Sequence, residues 1–211
     1  LQAQGYALGD LPEIAATKLF EGHPASVKAP RLVLNLGTGC NVAVMHHMPS
    51  GVFVPAAESG HTTLPHATGR MAELYVYLGR RHAHLPIEAA LSGPGLANIH
   101  EWVSGTQLDP SQVIAAYEAG AADATETLTL FTEILGTVAG NFALHHLPMG
   151  GLYLSGGVAR AVAPYLAKLG FYAPFIARGP YTDIVGKIPV SVITEDSFAL
   201  LGCARALRQQ M

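Results

Sequence analysis

The chain has 211 residues, half of them hydrophobic and only 13% charged, with a net charge of −3. That composition suits a packed globular core and excludes disorder, which goes with low hydrophobicity and high charge. The mild acidity argues against a nucleic-acid or anionic-membrane partner, no run approaches the ~20 apolar residues of a spanning helix, and a secretory leader pattern is missing. Two cysteines, Cys40 and Cys203, are too few for a disulfide framework and fit a reducing cytoplasm.

The elements follow in chain order. Leu1 to Leu8 reads as the middle of an element, so an N-terminal part is expected to be missing. Arg31 to Leu36 is a β-rich run that ends in Gly37-Thr38-Gly39. Asn41 to Met45 and Gly51 to Pro55 predict two further strands, joined by short loops into an antiparallel or mixed sheet edge. Asp109-Pro110-Ser111-Gln112 predicts a helix start, with Asp109 as cap, Pro110 in the first turn and Gln112 closing a capping box. Leu128, Phe131, Leu135, Val138 and Phe142 recur at spacings of three and four, the stripe of a long helix. Gly136 and Gly140 on that helix admit a close neighbour. Gly151 to Ser155 predicts a strand, Gly156-Gly157 a turn, and a helix follows to about Leu169. Lys187 to Ile193 reads as the last strand and Phe198 to Leu207 as the last helix. The order predicts a three-layer α/β domain.

Gly37-Thr38-Gly39, at the end of a strand, offers backbone N–H groups and a hydroxyl to a phosphate, and it equally suits an ordinary hairpin turn. The Walker pattern is absent. Gly156-Gly157 lets the backbone approach a ligand at a strand's C-terminal end, and a strand–helix turn with positive φ explains it as well. Glu58-Ser59-Gly60-His61 puts a carboxylate and an imidazole on one glycine-containing loop, where both can hydrogen-bond a polyhydroxylated ligand; Glu88 is a further candidate. Each acidic residue taken alone also reads as a solvated surface group. The histidine pairs His46-His47, His82 with His84, and His145-His146 lack metal-ligand spacing, so no metal site is expected.

Taken together these segments resemble the bacterial-type glucokinase family over nearly the whole chain. Leu91-Ser92-Gly93-Pro94-Gly95-Leu96 is close to a characteristic segment of that family with an acidic residue just upstream. Glu58-Ser59-Gly60-His61 is similar to its Glu-Gly-Gly-His loop, and Asn35 to Gly39 to its second phosphate motif. Gly150 to Val158 resembles its adenosine motif, and Ile188 to Gly202 its closing strand and helix. The resemblance implies the ribonuclease-H-like lobe of the actin-like ATPase group, an α/β fold with a mixed sheet and helices on both faces. It further implies that Glu58, His61 and Glu88 bind the hydroxyls of glucose or a related hexose. Gly37, Thr38 and Gly39 would contact the phosphates of ATP, with Mg²⁺ bridging them, and Gly156 and Gly157 would lie against the adenosine.

Two departures stand out. Cys40-Asn41 replaces the usual Leu-Gly, and Ser59 replaces a glycine; asparagine can adopt positive φ, so Asn41 is tolerated in glycine's place. Residues 1–211 are then expected to form the single large lobe of a two-lobe hexose kinase. The small N-terminal lobe and the general-base Asp, just before Leu1, are expected outside this chain, leaving it with negligible turnover alone. The competing expectation is a sugar-sensing domain derived from a kinase, and a homodimer is plausible by resemblance. A zinc-bearing repressor relative is excluded, because Cys40 and Cys203 cannot build its site.

Overall fold

The computed structural model describes residues 1–9, 16–23, 25–82 and 84–210. Its centre is a six-stranded sheet in the order β1-β6-β5-β2-β3-β4, comprising β1 (Ala16–Phe20), β2 (Arg31–Leu36), β3 (Cys40–Met48), β4 (Gly51–Phe53), β5 (Leu152–Ser155) and β6 (Val190–Ile193). β2, β5 and β6 are parallel; β1, β3 and β4 run antiparallel to their neighbours. The expected edge of three consecutive strands is present as β2-β3-β4, and the sheet is mixed.

Strand alternation divides the core in two. Leu32, Leu34, Leu36, Val42, Val44, Leu152, Leu154, Val190 and Val192 project to one face, against the central helices. These are α2 (Gly69–Gly79), α3 (Gly93–Ser104), α4 (Pro110–Glu118), α5 (Ala122–His146), α6 (Gly157–Val162), α7 (Tyr172–Ile176) and α8 (Thr182–Val185). Val33, Ala43, Met45 and Ile193 project to the other face, where they meet Ala7 and Leu8 beside α1 (Gln2–Ala7) and Phe198 of α9 (Phe198–Gln210). Helices therefore cover both faces, as the three-layer reading requires.

The helix signals act where the sequence places them. Asp109 caps α4, and its backbone N–H donates to Gln112 Oε1 at 2.9 Å, completing the capping box. Along α5 the stripe Leu128, Phe131, Leu135, Val138 and Phe142 is buried. At Gly136 and Gly140 the backbone of α7 comes so close that a Cβ would overlap the carbonyl oxygens of Phe171 and Phe175. The 25 residues of α5 are long and apolar enough to cross a membrane by length and composition, yet 72% of the most apolar window is buried in this core. Truncating the fully buried Phe131 to alanine would cost about 3–5 kcal/mol.

Several elements differ in extent from expectation, and β1, α7 and α8 went unread. The helix after Gly156-Gly157 ends at Val162 rather than near Leu169 and passes into a 3₁₀ turn at Ala163–Tyr165. Pro164 supplies no N–H to continue the helical hydrogen-bond ladder, although Ala163 before it keeps helical φ/ψ. The last strand begins at Val190, not Lys187. β1 carries mostly exposed residues, so it lacks the apolar alternation that would have marked it.

Candidate functional site

Gly37-Thr38-Gly39 closes the hairpin between β2 and β3, and Gly37 N–H donates to Gly39 O at 2.9 Å. The turn is thus a hairpin turn, and it is also part of a site. Gly37 O accepts from Gly93 N–H at 2.7 Å, which fixes the turn against the start of α3. That start is itself built locally: Ser92 Oγ accepts from Gly95 N–H at 2.9 Å and donates to Glu88 O at 2.7 Å. Turn, α3 start and the Glu88 segment therefore move as one unit.

On one side of the turn lies a cavity of about 580 Å³, lined by Gly37, Thr38, Gly93, Pro94, Ala97, Asp109, Pro110, Gly157 and Val158. The starts of α3 and α4 border it, and helix starts favour anions. Gly156 stands behind Gly157 rather than in the lining. It adopts φ +94°, and a Cβ there would overlap the Leu36 carbonyl oxygen. A side chain at 156 would push the end of β5 away from β2 beside this cavity.

On the other side lies a cleft of about 300 Å³ that contains Glu58, His61 and Glu88 together with Gly39, Cys40, Asn41, Asn35, Gln4 and Leu1. Glu58 and His61 flank a single 3₁₀ turn, Ser59–His61. Glu88 belongs to a second such turn, Ile87–Ala89, joined to the first segment by Ile87 N–H donating to Thr62 O at 2.8 Å. His61 Nε2 stands 3.7 Å from Glu88 Oε1. At Gly60 a Cβ would overlap the Cys40 carbonyl oxygen, so glycine is required there. Ser59, the departure from glycine, faces away from this cleft into a separate cavity beside Asn141 and His145. Its side chain leaves the geometry of Glu58 and His61 alone.

The three acidic and imidazole candidates are thus brought together, and Gly37, Thr38 and Gly157 share the neighbouring cavity. Gly39 lines the cleft, where a Cβ placed on it would come within 3.0 Å of Glu88 Oε2. Several cleft residues were not read from the sequence. Asn35 Nδ2 donates to Ser155 Oγ at 3.0 Å and to Gln4 Oε1 at 3.3 Å, and Ser155 Oγ donates to the same Gln4 oxygen at 3.0 Å. This polar network joins β2, β5 and α1 beneath the cleft. Asn41 does not take positive φ but lies in β3, paired with Asn35, and its side chain holds the 57–59 segment. Cys40 is buried behind Glu88; desolvation, reinforced by the Glu88 charge, pushes its thiol from 9.0 up to about 12, so it is neutral. Among the described residues, no three His, Cys, Asp or Glu side chains are grouped to hold a metal ion.

Chemically, one cleft presents two carboxylates and an imidazole, a set suited to several hydroxyls of one small ligand. The adjacent cavity is mostly apolar with a glycine turn at its edge, a set suited to a flat base followed by phosphates.

The glucokinase family profile matches residues 1–210. The chain is 33% identical to glucokinase of Chelativorans sp. (strain BNC1), over 98% of this chain and 62% of that protein. It superimposes on a crystal structure of glucokinase from an Antarctic psychrotroph with a TM-score of 0.88 at 27% identity, covering 98% of this chain and 66% of the other. The fold is shared with Balamuthia mandrillaris glucokinase, solved in complex with glucose, at a TM-score of 0.80 and 20% identity over 98% of this chain and 63% of that one. The chain spans a little under two thirds of the length of the curated relatives it matches. On the profile match, the sequence relatives and the actin-like sugar-kinase fold, this chain belongs to the glucokinase family.

Proposed function

We propose that this chain is the sugar- and nucleotide-binding large lobe of an ATP-dependent kinase that phosphorylates glucose at its 6-hydroxyl. The observation that carries the reading is the position of Gly37-Thr38-Gly39. The turn separates a cleft lined by Glu58, His61 and Glu88 from a largely apolar cavity lined by Gly157 and Val158. Donor phosphates laid on this turn would point from the second cavity into the first.

In this reading Glu58 and Glu88 accept hydrogen bonds from sugar hydroxyls, and His61 offers a further donor or acceptor. These contacts orient the ring, which is most of what a phosphoryl-transfer enzyme contributes beyond charge neutralisation. Gly37, Thr38 and Gly39 cradle the phosphates, and Gly156 and Gly157 let the strand-to-helix turn lie flat against the adenosine. Mg²⁺ bound with the nucleotide supplies the charge neutralisation. The proton of the attacking hydroxyl goes to an Asp carried by the segment before Leu1. Leu1 lines the cleft. The remaining wall of the cleft comes from a small lobe outside residues 1–211, and the chain by itself turns over negligibly. The setting is cytoplasmic.

Calorimetric titration with glucose, with and without a non-hydrolysable ATP analogue and Mg²⁺, tests this. Saturable glucose binding that disappears in Glu58→Ala and Glu88→Ala is expected. Glucose binding that both variants retain would overturn the assignment of the cleft.

A further inference from the structure

Asn41 is placed to do more than fill a glycine's position. It begins β3 opposite Asn35, and its side-chain amide is engaged at every polar site it has. Nδ2 donates to Ala57 O at 2.9 Å and to Glu58 Oε2 at 2.8 Å. Oδ1 accepts from Ser59 N–H at 2.9 Å and from its own neighbour, Val42 N–H, at 2.7 Å. The partners fix which end of the amide is which. Two backbone N–H groups can only donate and a backbone carbonyl can only accept, so a flipped amide would oppose donor to donor and acceptor to acceptor.

Three of the four contacts bracket one residue. Ala57 O and Ser59 N–H are the backbone groups on either side of Glu58, and the third contact is to the Glu58 side chain. Glu58 is otherwise an exposed carboxylate on a loop, free to sample several rotamers. Held at Oε2 by the Asn41 amide N–H, it has its other oxygen left for a ligand in the cleft that both residues line. A strand residue does the holding, and strands place groups more rigidly than loops. Gly60, confined against the Cys40 carbonyl, locks the same loop from its far side.

We propose that Asn41 is a positioning residue for the sugar cleft: it clamps segment 57–59 onto β3 and presents Glu58 to the ligand in a fixed orientation. The sugar-binding part of this inference rests on the function proposed above; the clamp itself does not.

The test compares Asn41→Ala and Asn41→Asp with the unaltered sequence, in the whole gene product that carries this chain. Asn41→Asp keeps the shape but turns an acceptor oxygen toward Glu58 Oε2 and Ala57 O. Two readouts are taken: NMR hydrogen exchange at the Ser59 amide, and calorimetric affinity for glucose and, separately, for the ATP analogue. The clamp predicts that Ser59 exchange accelerates at least about tenfold in both variants. Glucose affinity falls about 10- to 100-fold, more in Asn41→Asp than in Asn41→Ala, with nucleotide affinity unchanged. Unchanged Ser59 exchange overturns the clamp. Equal loss of glucose and nucleotide affinity with a lowered melting temperature also overturns it, because Asn41 is then only structural. If the unaltered protein does not bind glucose and Ser59 exchange still accelerates in the variants, the clamp stands and the sugar assignment of the cleft fails.

Discussion

His61 Nε2 lies 3.7 Å from Glu88 Oε1, although the two residues sit on different turns, whose segments are joined by the Ile87 N–H to Thr62 O and Leu64 N–H to Leu85 O hydrogen bonds. Both side chains are partly open to solvent, at 57% and 32% relative exposure, so their direct attraction adds little stability. In the proposed function both serve a shared ligand. His61→Ala and Glu88→Ala are each expected to weaken glucose binding roughly tenfold or more, with melting temperatures nearly unchanged. In the double variant the losses should be non-additive by about 0.5–3 kcal/mol, since both groups contact one ligand and each other. Strict additivity in calorimetric titrations would show that they do not act together.

Gly60→Ala places a methyl group on the Cys40 carbonyl, a contact with backbone rather than with a yielding side-chain tip. The loop has to move, taking Glu58 and His61 with it. Loss of measurable glucose binding is expected, with a stability cost of about 1–3 kcal/mol in chemical denaturation. Ser59→Gly, which restores the family's usual residue on the side away from the cleft, should leave glucose affinity within about twofold. These two neighbouring substitutions discriminate a shaped loop from a merely polar one.

Gly156→Ala acts on the other cavity. At φ +94° a Cβ is strained, and here it also meets the Leu36 carbonyl oxygen between two parallel strands. The expected outcome is a loss of about 1–3 kcal/mol of stability and a marked weakening of ATP-analogue binding, measured by calorimetry. Gly157→Ala has open space around it, so its effect should be confined to the nucleotide.

Cys40 gives a pH prediction with a definite sign. Burial first, and the Glu88 charge second, raise its thiol to about 12 in the fold, against 9.0 for an exposed thiol. Between those values the unfolded chain has lost this proton and the folded chain retains it. The stabilisation is therefore complete below pH 9 and is lost as pH rises toward 12, at up to about 1.4 kcal/mol per pH unit. Urea denaturation of Cys40→Ser beside the unaltered chain across that range checks the slope. Alkylation supplies an independent check: at pH 8 iodoacetamide should label the exposed Cys203 and spare Cys40 until the protein is unfolded.

Much of the fold was legible because its signals are local. Asp109, Pro110 and Gln112 cap α4 within four residues of one another, and the three- and four-residue spacing from Leu128 to Phe142 describes one face of α5 without reference to anything outside it. Alternation in Arg31–Leu36 likewise announced a strand buried on both faces. Where a neighbour decides, the sequence was silent. β1 is a strand because β6 pairs with it, and its exposed residues carry no pattern of their own. Pro164, in plain view, shortened α6 against the helical reading.

The candidate site divides the same way. Glu58, His61, Glu88 and the two glycine turns could be named from residue type and family resemblance, each as a separate segment. Only the tertiary structure decided that Glu88 stands beside His61, that the Gly37-Thr38-Gly39 turn borders both cavities, and that Ser59 lines a different cavity. It also decided that Asn41 holds Glu58, a contact across 17 positions that neither local propensity nor periodicity encodes. The physical reason is range. Caps, turns and amphipathic stripes are set by interactions within a turn or two of chain, whereas a cleft is made by hydrogen bonds and close backbone approaches between segments that the sheet brings together.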